Sequence, residues 1–293
     1  MNKEKILKAG KIASEAKEYA REIIKKGMPL LEIADKVEGF IVEKGGKPGF
    51  PLNLSMDDTA AHYTPSYDDT TTAKGLLKVD LGVHVDGWVA DTAFSIDLEN
   101  KEENKKLIQA AKEALDNAVI LARDKAQVRF IGKKIYETIE SHGVTAIVNL
   151  GGHGVSHYQV HSGLMIPNFD NKKNEALEKD EQYAIEPFAT NGNGKVHDGR
   201  PSGIYEMTSG KSIRSPFARE VLEFIGKEYK TLPFASRWIV KKFGTKGLIG
   251  LKQLEENGNL HHYAVLMESS KGIVAQAEDT ILVEKDKTIV TTE

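Results

Sequence analysis

Leu77-Lys78-Val79-Asp80-Leu81-Gly82-Val83-His84-Val85-Asp86-Gly87-Trp88-Val89-Ala90-Asp91-Thr92-Ala93-Phe94-Ser95-Ile96 reads as a β-hairpin with one acid on each arm. Asp86-Gly87 is a two-residue loop that favours a type I′ turn, so Val85 faces Trp88 and pairing runs outward from there. In that register Asp80 lies opposite Ala93, and Asp91 is its diagonal neighbour on the same face. Val79, Leu81, Val83, Val85, Trp88, Ala90, Phe94 and Ile96 fill the other face and suit a core. Diagonal neighbours stand roughly 7–8 Å apart, within reach of a shared ligand. Asp is depleted in strands, and two like charges this close repel unless a cation lies between them. The pair predicts a metal site.

Upstream of the hairpin, Ala9, Ile12, Ala13, Ala16, Ala20, Ile23 and Ile24 follow a helical period that Gly27 and Pro29 stop. A second helix places Leu30, Ile33, Val37 and Ile41 inward and ends at Gly45-Gly46. The same pattern returns 98 residues later, in Leu107, Ala110, Ala111, Ala114, Ala118, Leu121 and Ala122, then in Val128, Ile131, Ile135 and Ile139, with Gly143 in the place of Gly45. Strand-like segments follow each helix pair, at 50–63, 76–97, 144–150 and 182–189. This duplicated unit predicts a pseudo-two-fold molecule: two half-sheets that meet, helices over one side, and a site at the junction. His62 and His161, 99 residues apart, would be near-symmetry mates. Residues 205–262 fit neither half and carry helical patterns at 216–229, 234–243 and 248–256, before strand character returns at 272–283. They predict a helical subdomain inserted into a single domain spanning 1–293.

Three further residues complete a constellation. His153 sits in Gly151-Gly152-His153-Gly154, on a strand or an adjoining tight loop, where glycines allow close backbone approach. Glu186 ends one apolar strand segment and Glu278 lies inside the last one, where an acid is unexpected unless paired or coordinated. Asp80, Asp91, His153, Glu186 and Glu278 together match a two-metal site for manganese, iron(II), cobalt or zinc. A structural zinc site would favour Cys and His instead.

Bulk composition narrows the alternatives. A net charge of −3 with no basic block gives no reason to expect nucleic acid as a partner. The chain has no cysteine, which removes disulfide and thiolate chemistry. Its charged start runs into an amphipathic helix, and no apolar run approaches the roughly 20 residues of a membrane span, so a cytoplasmic protein is expected.

The constellation resembles the methionine aminopeptidases, specifically the type II branch, over essentially the whole chain. The matching stretches are Ala60-Ala61-His62-Tyr63-Thr64-Pro65, Val79-Asp80-Leu81-Gly82, Ala90-Asp91-Thr92-Ala93, Gly152-His153-Gly154 with His161 after it, Ala184-Ile185-Glu186-Pro187-Phe188 and Ala275-Gln276-Ala277-Glu278-Asp279-Thr280. The helical insertion between the two glutamates marks type II.

The resemblance implies an α+β pita-bread fold, in which two pseudo-symmetric halves share a curved, largely antiparallel sheet covered by helices. It also implies two divalent metal ions, with Asp80 terminal on one, His153 and Glu186 terminal on the other, and Asp91 and Glu278 bridging. His62 and His161 would face the scissile amide, and Glu186 would shuttle the proton. Phe50 and Tyr263 would line the methionine pocket, with Ile204 near a position where some type II enzymes carry a histidine. Through Tyr263 the insertion would help wall that pocket. The implied substrate is the N-terminal methionine of nascent polypeptides with a small second residue. Monomer is the family expectation, and the ribosome is the one macromolecular partner the resemblance raises. The chain begins at the catalytic domain, without the charged extension of eukaryotic type II enzymes.

His157 is expected at the pocket rim or in solvent, His84 near the hairpin end and His197 in loop structure. Two competing readings share the scaffold. Prolidase or aminopeptidase P chains usually carry a long preceding domain and more histidine around the third ligand. A non-catalytic binding protein would generally have lost several ligands.

Overall fold

The computed structural model describes residues 1–293. Two helix pairs form where the apolar period places them: α1 (Lys3–Ile23) with α2 (Leu30–Glu43), and α3 (Glu102–Leu121) with α4 (Val128–Ser141). Each pair is amphipathic and buries its predicted stripe, Ala9, Ala13, Ala16 and Ala20 in α1 and Ala110, Ala111, Ala114 and Ala118 in α3. Asn2 caps α1, its side chain accepting the Lys5 N–H at 3.2 Å.

Between the pairs run β1 (Lys47–Met56), β2 (Thr59–Ala61), β3 (Leu76–Val85) and β4 (Trp88–Asp97). After α4 come β5 (Thr145–Ala146), β6 (Gly151–Ser156), β7 (Gln159–Pro167), β8 (Glu181–Ile185), β9 (Phe188–Thr190) and β10 (Val196–Met207). A helical stretch follows, with α5 (Pro216–Glu228), β11 (Phe234–Ala235), α6 (Ser236–Phe243) and α7 (Lys246–Glu256). The chain closes with β12 (Leu260–Glu268), β13 (Val274–Gln276), β14 (Glu278–Val283) and β15 (Thr288–Val290).

The main sheet is antiparallel in the order β1-β3-β4-β14-β8-β6-β7, with β15 on β14. α1 and α2 pack on one half through Val79, Leu81, Ala90 and Phe94. α3 and α4 pack on the other through Tyr183, Ile185, Ile281 and Ile166. Because side chains alternate along a strand, burying Val79 and Leu81 under helices turns Asp80 to the opposite face. This is the pita-bread arrangement, and the halves meet where β4 pairs β14. A third apolar core, including Val221, Phe234, Ile239 and Leu251, packs α5, α6 and α7 against the smaller sheet β11-β10-β12-β2. No helix is long and apolar enough to cross a membrane.

Two segments differ from the expected pattern. The segment 144–150 contributes only the two residues of β5, and the strands that matter are β6 and β7 beyond it. The glycine run around His153 lies within β6. Backbone presses on it from both sides: a Cβ on Gly152 would lie 2.2 Å from the Ala184 oxygen, and one on Gly151 2.5 Å from that of Ile166. The segment 182–189 breaks at Glu186-Pro187 into β8 and β9, which belong to different sheets.

Candidate metal centre

The hairpin register sets the first row of the site. Asp80 pairs with Ala93, and Ala93 pairs in turn with Glu278 across the seam between halves. Asp91 stands two residues from Ala93 on the same face. From the second half, His153 pairs with Ala184, which pairs with Thr280, two residues from Glu278. Glu186 follows β8 directly. Five strands or strand ends thus deliver four carboxylates and one imidazole to one spot.

Their donor atoms fall into two groups that share Glu278. Asp91, His153 and Glu278 lie within 4.8 Å of one another, as do Asp80, Glu186 and Glu278. His153 Nε2 stands 3.8 Å from Asp91 Oδ2 and 4.0 Å from Glu278 Oε1. Its Nδ1 donates to the Gly154 carbonyl at 3.2 Å, which leaves Nε2 with its lone pair toward the acids. In the metal-free cluster Glu186 stands in the group with Asp80 and Glu278. Gln276 donates from Nε2 to Glu186 Oε1 at 2.8 Å. Sequence reasoning passed over Gln276, although it lies inside the stretch that holds Glu278.

Electrostatics without a cation are unfavourable here. Asp80 Oδ1, Asp91 Oδ1 and Glu278 Oε1 are buried with no hydrogen-bond partner. An unpaired buried polar atom costs about 1–3 kcal/mol, more if charged. Burial raises the Asp80 carboxyl to about 7. Burial, and then the charge of Asp80, hold Asp91 and Glu186 well above the usual carboxyl range; for Glu278 the charge of Asp91 follows burial. Desolvation and the neighbouring His161 lower His153 to about 3, so its imidazole is neutral. Carboxylates with free lone pairs and one neutral imidazole fit divalent cations. Protons compete for the same oxygens. Uptake of a divalent ion by metal-free protein is therefore expected to release protons, and affinity should rise with pH through about 7, as calorimetry in buffers of different ionisation enthalpy would show.

The cluster opens on a cavity of about 210 Å³. All ten residues singled out in the sequence line it: Asp80, Asp91, His153, Glu186, Glu278, His62, His161, Phe50, Ile204 and Tyr263. Asn149, Met165, Pro233 and Leu266, which carry no local signal in the chain, also line it. They come from strand ends and loops whose convergence is tertiary. His161 stacks edge-on against His153 with ring centres 4.3 Å apart, and His62 meets Tyr263 at 5.6 Å. His62 Nδ1 donates to the Ala264 carbonyl at 3.3 Å, and desolvation and His161 lower its pKa to about 4. Its Nε2 is thus an acceptor. His84, His157 and His197 lie outside the cavity lining. His84 accepts the Gly87 N–H at the hairpin turn, His157 bonds the Asp86 carbonyl, and His197 is exposed on β10.

Half-sheets meeting over paired, carboxylate-rich ligand groups beneath an apolar cavity define a metal-dependent hydrolase. Residues 4–285 match the model of metallopeptidase family M24, and the chain belongs to that family. It is 44% identical over 300 residues to the methionine aminopeptidase of Pyrococcus abyssi, covering 100% of both chains. It is 45% identical over 297 residues to that of Pyrococcus horikoshii, again over 100% of each. Among solved structures it superposes on a thermophilic Arx1 with a TM-score of 0.84 at 16% identity, over 98% of this chain and 89% of that one. At that identity the likeness concerns the fold alone.

Proposed function

We propose that this chain removes the N-terminal methionine of nascent polypeptides whose second residue is small, using two divalent ions in the cytoplasm. The observation that carries the reading is the pair of ligand groups sharing Glu278 on the wall of a cavity otherwise lined largely by apolar side chains. Full-length identity to archaeal methionine aminopeptidases supports it.

Asp80, Asp91, His153, Glu186 and Glu278 would hold the ions, with manganese, cobalt, iron(II) and zinc all compatible with the donors. Bound there, the ions supply Lewis acidity and lower the pKa of water. The chain's own residues do the rest. Glu186, steadied by Gln276, takes the proton from the attacking water and returns it to the departing amine. His62 presents Nε2 to the scissile N–H and so orients the amide. His161, exposed at the mouth, donates to the carbonyl oxygen as charge develops there. Phe50, Tyr263 and Ile204 form a slot suited to an unbranched, polarizable thioether. Residues 205–262, read as an inserted subdomain, bring Ile204 and Tyr263 to the slot from their flanks.

The test is methionine release from Met-Ala-Ser, Met-Leu-Ser and an Xaa-Pro peptide by metal-free protein supplied with each ion in turn. Release from Met-Ala-Ser, restored by at least one ion and far slower from Met-Leu-Ser, is expected. Cleavage confined to Xaa-Pro would replace the reading with a prolidase one.

A further inference from the structure

His62 has a left-handed backbone, φ 63°, which a non-glycine residue keeps only where its surroundings hold it. β1 supplies one set of restraints. The Leu54 N–H donates to the Tyr63 carbonyl at 2.7 Å, and Thr64 Oγ1 donates to the Leu52 carbonyl at 2.8 Å. The other set comes from far along the chain, at the start of α6. Arg237 Nη1 donates to Thr64 Oγ1 at 2.6 Å and to the Pro65 carbonyl at 3.2 Å, while Nη2 donates to Glu38 on α2. Glu38 also accepts the Leu52 N–H at 3.0 Å and the Trp238 indole N–H at 2.8 Å.

Arg237 is 5% exposed and Glu38 9%, so this is a buried pair and not a solvated surface contact. A buried pair contributes little net stability over an apolar substitute, but its planar fork fixes directions. Here the fork joins three pieces of chain: α2, the segment right after His62, and α6. None of the three residues lines the cavity, so none meets substrate. What the fork holds is Thr64 and Pro65, the second and third residues after His62.

We propose that Arg237 is a positioning residue for His62: anchored on Glu38, it holds Thr64 and Pro65 so that His62 keeps its left-handed backbone and its Nε2 faces the cavity. The inference rests on the reading of His62 as the group that orients the scissile amide. It gives the helical segment a task beyond walling the pocket, since α6 then sets the angle of a residue on the first half of the molecule.

Arg237→Lys tests it. The ammonium keeps a charge opposite Glu38 but, as a single compact donor, does not span Glu38, Thr64 and Pro65 together. The expected result is a fall in kcat on Met-Ala-Ser of about tenfold or more, because small displacements of a positioning group cost up to about 10²-fold. The number of ions bound should stay that of the unaltered protein, and the Tyr63, Thr64 and Ser66 amides should exchange with solvent faster. In a His62→Ala background the same substitution should cause no further loss, because both act through one group. Thr64→Val, which leaves the buried pair intact, should give the same pattern and serves if Arg237→Lys does not fold. Unchanged kcat and exchange, or an equal fold-loss in both backgrounds, would overturn the proposal. If His62→Ala alone leaves methionine release intact, the assigned role of His62 fails, and the exchange of Tyr63, Thr64 and Ser66 still decides whether Arg237 holds the loop.

Discussion

Replacing Glu278 by glutamine is expected to reduce methionine release to background while making the metal-free fold more stable. Glu278 belongs to both ligand groups, so neutralising it weakens both ion positions at once. The stability gain has a separate cause. Glu278 is 1% exposed, one of its oxygens has no partner, and the carboxylates of Asp91, Glu186, Asp80 and Asp279 surround it. Burial, then Asp91, Glu186 and Asp80, raise its carboxyl well above the usual range. A group whose folded pKa lies above its unfolded value binds more protons in the folded state, so its contribution falls as pH rises from the unfolded pKa of about 4. Glutamine does not titrate. The advantage of the variant in metal-free protein should therefore grow with pH, to on the order of 1–3 kcal/mol at neutrality, the scale of one unpaired buried polar group. Thermal melts of both proteins in chelator at pH 5 and pH 7.5 measure it, and equal melting at both would refute the electrostatic cause. A site that is less stable than its own inactive variant is the usual relation where function demands clustered charge.

The second large effect concerns the histidines. His62→Ala and His161→Ala should each lower kcat by about 10²–10³, the cost of one polar group aimed at the reacting amide or oxyanion. Ion content should be unchanged in both, since neither belongs to the two ligand groups. The two should differ in sensitivity to substrate backbone. His62 offers an acceptor, its Nδ1–H being committed to the Ala264 carbonyl, so a substrate N-methylated at the scissile amide should lose its dependence on His62 and keep its dependence on His161. Loss of bound metal in either variant would show that the histidines support the cluster instead of the substrate.

Much of this centre is legible along the chain because strand geometry carries it. The Asp86-Gly87 turn alone fixes the pairing of Asp80 with Ala93, and the structure has that pairing throughout β3 and β4. The helix repeat is equally plain, α2 and α4 beginning 98 residues apart at Leu30 and Val128. Where the reading falls short, the cause is an interaction between distant segments. The glycines around His153 left strand and tight loop both open, and their reason is the oxygens of Ala184 and Ile166 pressing from neighbouring strands. Gln276 looked like an ordinary strand residue because its partner, Glu186, comes from the end of another strand. Arg237 gave no signal at all, since Glu38 and Thr64 are 199 and 173 residues away. Local pattern reports which face a side chain takes; it does not report what that face meets.

The most direct measurement of the central claim is a count of manganese ions bound per chain, by equilibrium dialysis of metal-free protein, with methionine release followed in the same samples. Two ions per chain, with release following their binding and both lost together in Glu278→Gln, is the predicted result. Full release from chelator-treated protein without metal, or two ions still bound in Glu278→Gln, would contradict it.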